Sequence, residues 1–340
     1  MSPGATPNVR CKTRPALIRL KALAMDEAAL DPDAQALIAR IAAAGRKPYF
    51  DLNLAEARTA YAQACREVGL APVQAVVRTP VLRQPFNGSR LRLYRPPDSH
   101  PGEKLPGVLF AHGGGWVLGD LDTHDTICRR LAQKARVALL AVDYRRSPET
   151  PFPGAVEDVF EALKTLSGAA ESLGVDPGRL AVVGDSVGAS LVTVAALLAR
   201  DAGGPALRAQ ILFYPVTDLA EEAASYVTAG SGLVLTAESM RWFRTQYLKR
   251  PEDGLDWRAS PLRAPNLEDA PESLIITCGR DPLCDEGRAY ATRLEAEGVA
   301  VSTLHLADQI HGFLTSGGVL RQATPVLDMA AAWLKHRLGK

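Results

Sequence analysis

The stretch that most restricts the fold is Leu180–Val183 running into Gly184-Asp185-Ser186-Val187-Gly188, followed by a helical pattern. A short apolar run, a Gly-x-Ser-x-Gly turn and a helix describe a chain that reverses sharply at the end of a buried strand. Gly184 and Gly188 remove side chains that would collide at the reversal. Ser186 then projects from the C-terminal end of the strand. It also sits at a helix N-terminus, whose partial positive charge favours a developing negative charge. Ser186 is therefore the candidate nucleophile; the bare pentapeptide without this context would be an ordinary turn.

The rest of the chain supplies a sheet for that turn. From Pro106 onward, short apolar runs alternate with helical patterns. The runs are Val108–Ala111, Val137–Val142, Leu180–Val183, Ile211–Tyr214, Leu274–Cys278 and Val301–Leu306. The helices are expected near Thr123–Ala135, Gly154–Leu166, Val187–Arg200, Gly287–Glu297 and Pro325–Leu338. Such alternation predicts an α/β fold, a mostly parallel central sheet flanked by helices on both faces. Upstream, Asp31 and Pro32 open a helix to Ala44, stopped by Gly45. Asn53 and Glu56 form a capping pair for a second helix, Leu54–Val68, ended by Gly69. Val76-Val77 and Leu91-Leu93-Tyr94 read as strands, with Asn87-Gly88 as a turn between them. The first 30 residues read as irregular. About sixty residues separate Tyr214 from Leu274, too many for a simple connection, and a helix near Ala237–Leu248 marks them as an insertion above the sheet.

Composition excludes several classes. The 340 residues are 47% hydrophobic and 23% charged, which is ordinary for a globular chain. Lys plus Arg number 39 and Asp plus Glu 38, a net charge of +1, so no bulk field points to nucleic acid or an anionic membrane. No apolar run approaches the length of a membrane span. The only apolar stretch among the early basic residues is Ala16-Leu17-Ile18, so no signal peptide is read. Five cysteines at irregular spacing (Cys11, Cys65, Cys128, Cys278, Cys284) fit free thiols and a cytoplasmic chain. Cys278 and Cys284 lack metal-ligand spacing.

A serine hydroxyl needs a base. His311, in Ile310-His311-Gly312-Phe313 after the last strand, is the first candidate. His112 and His305 are rivals; His100, His124 and His336 rank lower, His124 because it lies near a helix start and far from the sheet's C-terminal edge. Asp281, in Gly279-Arg280-Asp281-Pro282-Leu283 after a strand, is the orienting carboxylate, with Asp285 as rival. The chain order Ser186, Asp281, His311 is that of a known arrangement on α/β sheets. His112-Gly113-Gly114-Gly115-Trp116 follows the strand Val108–Ala111. Three glycines let backbone N–H groups turn toward a substrate oxygen, and with Val187 N–H they would make an oxyanion hole. His112 reads as a support for that loop. No Gly-Lys-Ser/Thr follows, and GxGxxG spacing is absent, so phosphate and dinucleotide loops are excluded.

With these motifs in order, the sequence resembles the hormone-sensitive-lipase-like, family IV carboxylesterases of the α/β-hydrolase fold, which carry HGGGW and GDSAG. The likeness includes Asp143–Glu149, Phe152–Asp158, Tyr214-Pro215, Asp281–Gly287 and His311–Phe313, and spans about residues 75–320. It implies Ser186 as nucleophile, Asp281 as acid and His311 as base. It implies an oxyanion hole from Gly114, Gly115 and Val187, with Gly113 as a further candidate. It also implies a helical cap in two pieces, residues 1–50 and 216–258, over a core of residues 51–215 and 259–340. The chain departs from the family at Val187 for Ala, Ala189 for Gly and Ser147 for Ala; none removes a catalytic group.

The expected activity is hydrolysis of a small-molecule carboxylic ester of short to medium acyl chain, through an acyl-enzyme and with no metal or organic cofactor. An amidase, lactonase or acyltransferase would share every component, and a non-catalytic ligand receptor would share the fold. Trp116, Asp185, Phe313, Trp242 and Phe243, with Tyr247, are candidates for the pocket, core packing being the alternative for each aromatic. The resemblance leaves a homodimer open, while the charge balance and the lack of a long apolar run lead us to expect no nucleic acid and no stable membrane association.

Overall fold

The computed structural model describes Met1 and residues 30–73, 77–79, 82–84, 87–100 and 102–339. The irregular N-terminal reading, Cys11, Val76 and most of the first cap piece lie outside these residues. One sheet organises the chain. Its strands are β1 (Val77–Arg78), β2 (Leu82–Arg83), β3 (Arg90–Arg95), β4 (Leu105–Ala111), β5 (Ala138–Asp143), β6 (Val175–Asp185), β7 (Ala209–Phe213), β8 (Glu272–Arg280) and β9 (Val301–Ile310). Their order is β1-β3-β5-β4-β6-β7-β8-β9, with β2 paired to β3. β1, β2 and β5 run antiparallel to β3, and every pair from β5 to β9 is parallel.

The helices are α1 (Pro32–Ala43), α2 (Leu54–Val68), α3 (Asp125–Ala135), α4 (Gly154–Gly168), α5 (Ala170–Leu173), α6 (Val187–Asp201), α7 (Ser225–Thr228), α8 (Ala237–Tyr247), α9 (Cys284–Ala296) and α10 (Ala323–Leu338). Alternate strand residues divide two cores. Leu109, Leu140, Val142, Val182 and Leu212 pack with α4, α6 and α9. Val108, Phe110, Leu139, Val183, Ile211 and Phe213 pack with α3 and α10. This is period-two burial on both faces of a parallel sheet. From β4 the chain crosses to β5 on one side and returns to β6 on the other. The reversal opens a crevice at the C-terminal ends of β4 and β6, where ligands bind in such sheets.

Several elements run beyond their sequence expectation for physical reasons. β6 begins at Val175, because Val175 and Asp176 already pair with Leu105 and Pro106 of β4, and residues 177–179 bulge out before Leu180 resumes the ladder opposite Gly107. β9 reaches Ile310 because an edge strand exposes alternate residues, which hides its end from an apolar-run reading. α9 starts at Cys284, placing Asp285 and Glu286 in its first turn, where the helix dipole favours acids. The Asn87-Gly88 turn joins β3 to β2, a two-residue strand that the sequence did not announce. The caps of α1 and α2 form as expected: Asp31 accepts from Asp33 and Ala34 N–H, and Asn53 and Glu56 make reciprocal bonds. Among the described residues no helix is long and apolar enough to cross a membrane.

Candidate active site

The turn after β6 carries the strain its sequence implies. Ser186 has φ 56° and ψ −124°, a region that non-glycine residues enter only when the surroundings enforce it. The enforcement is close packing. A Cβ on Gly188 would lie 2.1 Å from Ala111 O, and one on Gly184 would lie 2.4 Å from Gly188 backbone atoms. Ser186 N–H donates to Phe213 O at 2.8 Å. The hydroxyl is thereby aimed into the crevice, 3.0 Å from His311 Nε2. His311 Nδ1 lies 2.7 Å from Asp281 Oδ2, and Asp281 Oδ1 accepts Leu283 N–H at 2.8 Å. Gly312, at φ 73°, lets the chain turn after β9 so that the imidazole hangs over the strand ends. The three side chains expected from sequence stand in one hydrogen-bonded line, and Asp281 is 1% exposed. Asp285, the rival acid, instead accepts Ser225 N–H in the insertion.

The glycine loop lies beside this line. Gly114 and Gly115 have φ 119° and 62°. A Cβ on Gly114 would strike Leu118 O at 2.4 Å, and one on Gly115 the Phe243 ring at 2.1 Å. The N–H groups of Gly114 and Gly115 have no acceptor among the described residues. Val187 opens α6, and its N–H is one of the helix's unpaired first-turn donors. Gly113 is different, and it corrects the expectation for that residue. Its N–H donates to Asp185 Oδ1 at 2.9 Å, so it is unavailable to a substrate oxygen. His112 supports the loop: Nδ1 lies 2.8 Å from Gly113 O, its ring stacks on Tyr144 at 4.4 Å, and Tyr144 O–H donates to His112 O.

A cavity of about 700 Å³ rises above Ser186. Its floor is Gly114, Gly115, Asp185, Ser186 and His311, and its walls come from α1, α2 and residues 233–243. α2, which the sequence reading gives to the core, thus walls the cavity together with both cap pieces. Of the predicted pocket residues, Phe243 lines the cavity and Asp185 reaches its floor. The other four, Trp116, Phe313, Trp242 and Tyr247, do not line it. Trp116 is buried and stacks on Tyr247 at 4.2 Å. Phe313 is fully buried against Tyr214. Trp242 leans on Phe243 from outside. Large aromatic surfaces gain most by leaving water altogether, so core packing takes them. Tyr61 and Cys65, both from α2, line the cavity and were not singled out as pocket residues by sequence. Burial pushes the Cys65 thiol up to about 12, so it is no competing nucleophile.

Two further buried acids surround the site. Burial would raise Asp185, but His124, Gly113 N–H and His112 outweigh it and hold the carboxyl below its ordinary value. His124 stands 3.2 Å from Asp185 Oδ1. The expectation that it lies far from the sheet's C-terminal edge is overturned, because the loop after β4 folds back before α3 begins. Glu286 accepts Thr217 and Asp218 N–H on one oxygen. Its other oxygen has no partner among the described residues. Burial raises its carboxyl well above the usual value, with Asp218 and Asp281 adding to the rise.

The arrangement can activate a hydroxyl and hold an oxyanion beside it. The chain matches a family described as alpha/beta hydrolase fold over residues 108–315. It is 43% identical over 249 residues to the ethyl acetate hydrolase of Pseudomonas putida, covering 73% of this chain and 78% of that protein. It is 36% identical over 282 residues to esterase LipI of Mycobacterium tuberculosis, covering 81% and 87%. A solved ester hydrolase from the metagenome of Lake Arreo, complexed with a bipyridine phosphonate derivative, superposes with a TM-score of 0.87. That structure is 37% identical, and the match covers 92% of this chain and 100% of the other. With this site on this sheet, the chain belongs to the α/β-hydrolase fold family, among its hormone-sensitive-lipase-like carboxylesterases.

Proposed function

We infer that the chain is a carboxylic-ester hydrolase working through an acyl-enzyme on Ser186. The observation that carries this is the line Ser186 Oγ, His311 Nε2, His311 Nδ1, Asp281 Oδ2, with gaps of 3.0 and 2.7 Å. Ser186 Oγ attacks the ester carbonyl carbon while its proton passes to His311 Nε2. Asp281 fixes the ring through Nδ1–H and stabilises the imidazolium that forms. The carbonyl oxygen becomes an oxyanion and takes hydrogen bonds from Gly114, Gly115 and Val187 N–H. Each such donor is worth about 2.7–4 kcal/mol in comparable sites. On collapse the C–O bond to the alcohol breaks, and His311 returns its proton to the departing oxygen. Water then repeats the attack, with His311 again as base, releasing the carboxylic acid and restoring Ser186.

The substrate reading is a neutral ester of short to medium acyl chain. The bounded, mostly apolar cavity supports it, as does the likeness to a protein named for ethyl acetate hydrolysis. Cys65, Cys128, Cys278 and Cys284 are free, which supports a reducing, cytoplasmic setting. Sedimentation velocity tests the homodimer that the resemblance leaves open. The activity test is Ser186→Ala. It should abolish p-nitrophenyl butyrate hydrolysis while the melting temperature holds, and substantial surviving turnover would refute the assignment.

A further inference from the structure

We propose that His124 is a positioning residue for the oxyanion hole, acting through Asp185 on Gly113. The inference rests on the ester-hydrolase reading above. It starts from a chain of contacts that the reaction itself does not use. His124 stands just before α3 and is 1% exposed. Its Nε2 lies 3.2 Å from Asp185 Oδ1 and 3.4 Å from Oδ2. Asp185 Oδ1 in turn accepts the Gly113 N–H at 2.9 Å. The adjoining glycines, Gly114 and Gly115, carry the N–H groups aimed at the substrate oxygen.

Three surrounding elements hold the imidazole so that it can serve this purpose. Thr123 Oγ1 lies 2.9 Å from Nδ1, and Thr123 is itself tied to Asp120 through backbone N–H and carbonyl. The ring packs against His112 at 5.5 Å and Phe110 at 6.0 Å. Nδ1 is thus held by Thr123 and the ring is packed by two aromatic neighbours, while Nε2 meets the carboxylate. Tyr214 O–H also reaches Asp185 Oδ2, at 3.5 Å.

Asp185 needs this help because it is one residue before the strained Ser186. It is buried under the turn, and its carboxylate must face the glycine loop and not relax. A buried carboxylate without a fixed partner would rotate or take up a proton. Either change loosens Gly113. A glycine loop has no side chains to lock its backbone, so its N–H directions depend on such outside bonds. Oxyanion donors lose most of their effect when displaced by a fraction of an ångström, because their advantage lies in being aimed before the charge appears. His124 therefore acts on the transition state more than on substrate binding.

The test compares His124→Leu with His124→Gln, whose amide returns a donor near the place of Nε2. Steady-state turnover of p-nitrophenyl butyrate, affinity for an alkyl trifluoromethyl ketone and the thermal melt are read for each. The ketone adds Ser186 Oγ to its carbonyl carbon and becomes an oxyanion, so its affinity reports the hole directly. His124→Leu should lower kcat by about 10–100-fold, leave KM within about threefold, and weaken the ketone by a similar factor to kcat. His124→Gln should recover most of both losses. A merely structural role would lower the melt and leave kcat and ketone affinity in place. The proposal is overturned if His124→Leu keeps both within about twofold, or if His124→Gln is no better than His124→Leu. Should His124→Leu fail to fold, His124→Asn replaces it; its shorter amide stops short of Asp185, and it must fall below His124→Gln in the same two readouts. An inactive Ser186→Ala beside an unimpaired His124→Leu sinks this proposal alone, whereas an active Ser186→Ala sinks the reaction assignment first.

Discussion

Glu286 carries a cost that the fold tolerates for geometry. It lies five residues after Asp281 at the start of α9, and its carboxyl holds Thr217 and Asp218, the first residues of the insertion. Burial raises it well above the ordinary 4.5, with one oxygen unpartnered among the described residues. The unfolded chain titrates near the ordinary value, while the folded chain keeps its proton to higher pH. Between the two values folding takes up a proton, so this group's contribution is full below the ordinary value and declines as pH rises through the raised one. Glu286→Gln keeps an acceptor for both N–H groups and removes the titration. Its melting temperature relative to the native chain should therefore be higher at pH 8 than at pH 5. An equal difference at the two pH values would show that Glu286 is not the buried group with a raised carboxyl described. Ser190, by contrast, shows how such a junction is closed cheaply: its hydroxyl donates to Val216 O, and neither atom bears a charge.

At the scale of elements, the glycine loop is gripped from both sides of the cap. α8 covers it with Phe243 over Gly115 and with Tyr247 stacked on Trp116. α2 reaches its far end through Arg58, whose Nε donates to Val117 O at 3.0 Å. The same guanidinium donates to Ser147 O at 3.0 Å and twice to Glu149 at 2.7 Å. Two carbonyls and a carboxylate converge on one planar fork, which lysine could not satisfy together. The carbonyl bonds are partly buried, while Glu149 is more than half exposed and so adds little to stability. Arg58→Ala should cost about 1–3 kcal/mol of stability, mostly from the two carbonyls. Because the loop end is freed, kcat/KM for butyrate esters should fall as well. A chemical-denaturation curve together with steady-state kinetics checks both, and an unchanged kcat/KM would mean α2 rides on the loop without steering it. The capping box of α2 was legible in sequence because Asn53 and Glu56 are three residues apart. The role of Arg58 was not, because its partners lie some 60–90 residues away and are mostly backbone oxygens with no residue signature.

Over the whole molecule, the sequence announced the parts that chemistry fixes and missed those that packing decides. Ser186, Asp281 and His311 were readable because each follows a strand end, and a parallel sheet brings such ends to one edge. The glycine loop was readable because only glycine takes its positive φ values next to Leu118 and Phe243. The cavity wall was not readable. Trp116, Phe313 and Phe243 look alike as aromatics near a site, yet two are sealed in the core and one faces the cavity. Which of them turns inward depends on where the insertion crosses the sheet, a long-range outcome with no local pattern. Phe243 is the point where the insertion comes down onto the catalytic floor, so it sets how much room stands above Gly115. Removing its ring deepens the cavity at the substrate carbonyl and leaves Ser186, His311 and Asp281 unaltered. Phe243→Ala should therefore shift preference toward longer acyl chains, with the octanoate-to-butyrate ratio of kcat/KM rising about tenfold, the scale expected when an apolar pocket gains a few methylenes of space. Absolute turnover of butyrate should fall, since a short acyl group then sits in a site too large to hold it. Competition between the two p-nitrophenyl esters at equal concentration reads the ratio directly. An unchanged ratio would move the acyl site away from α8 and toward the wall made by Tyr61 and Cys65.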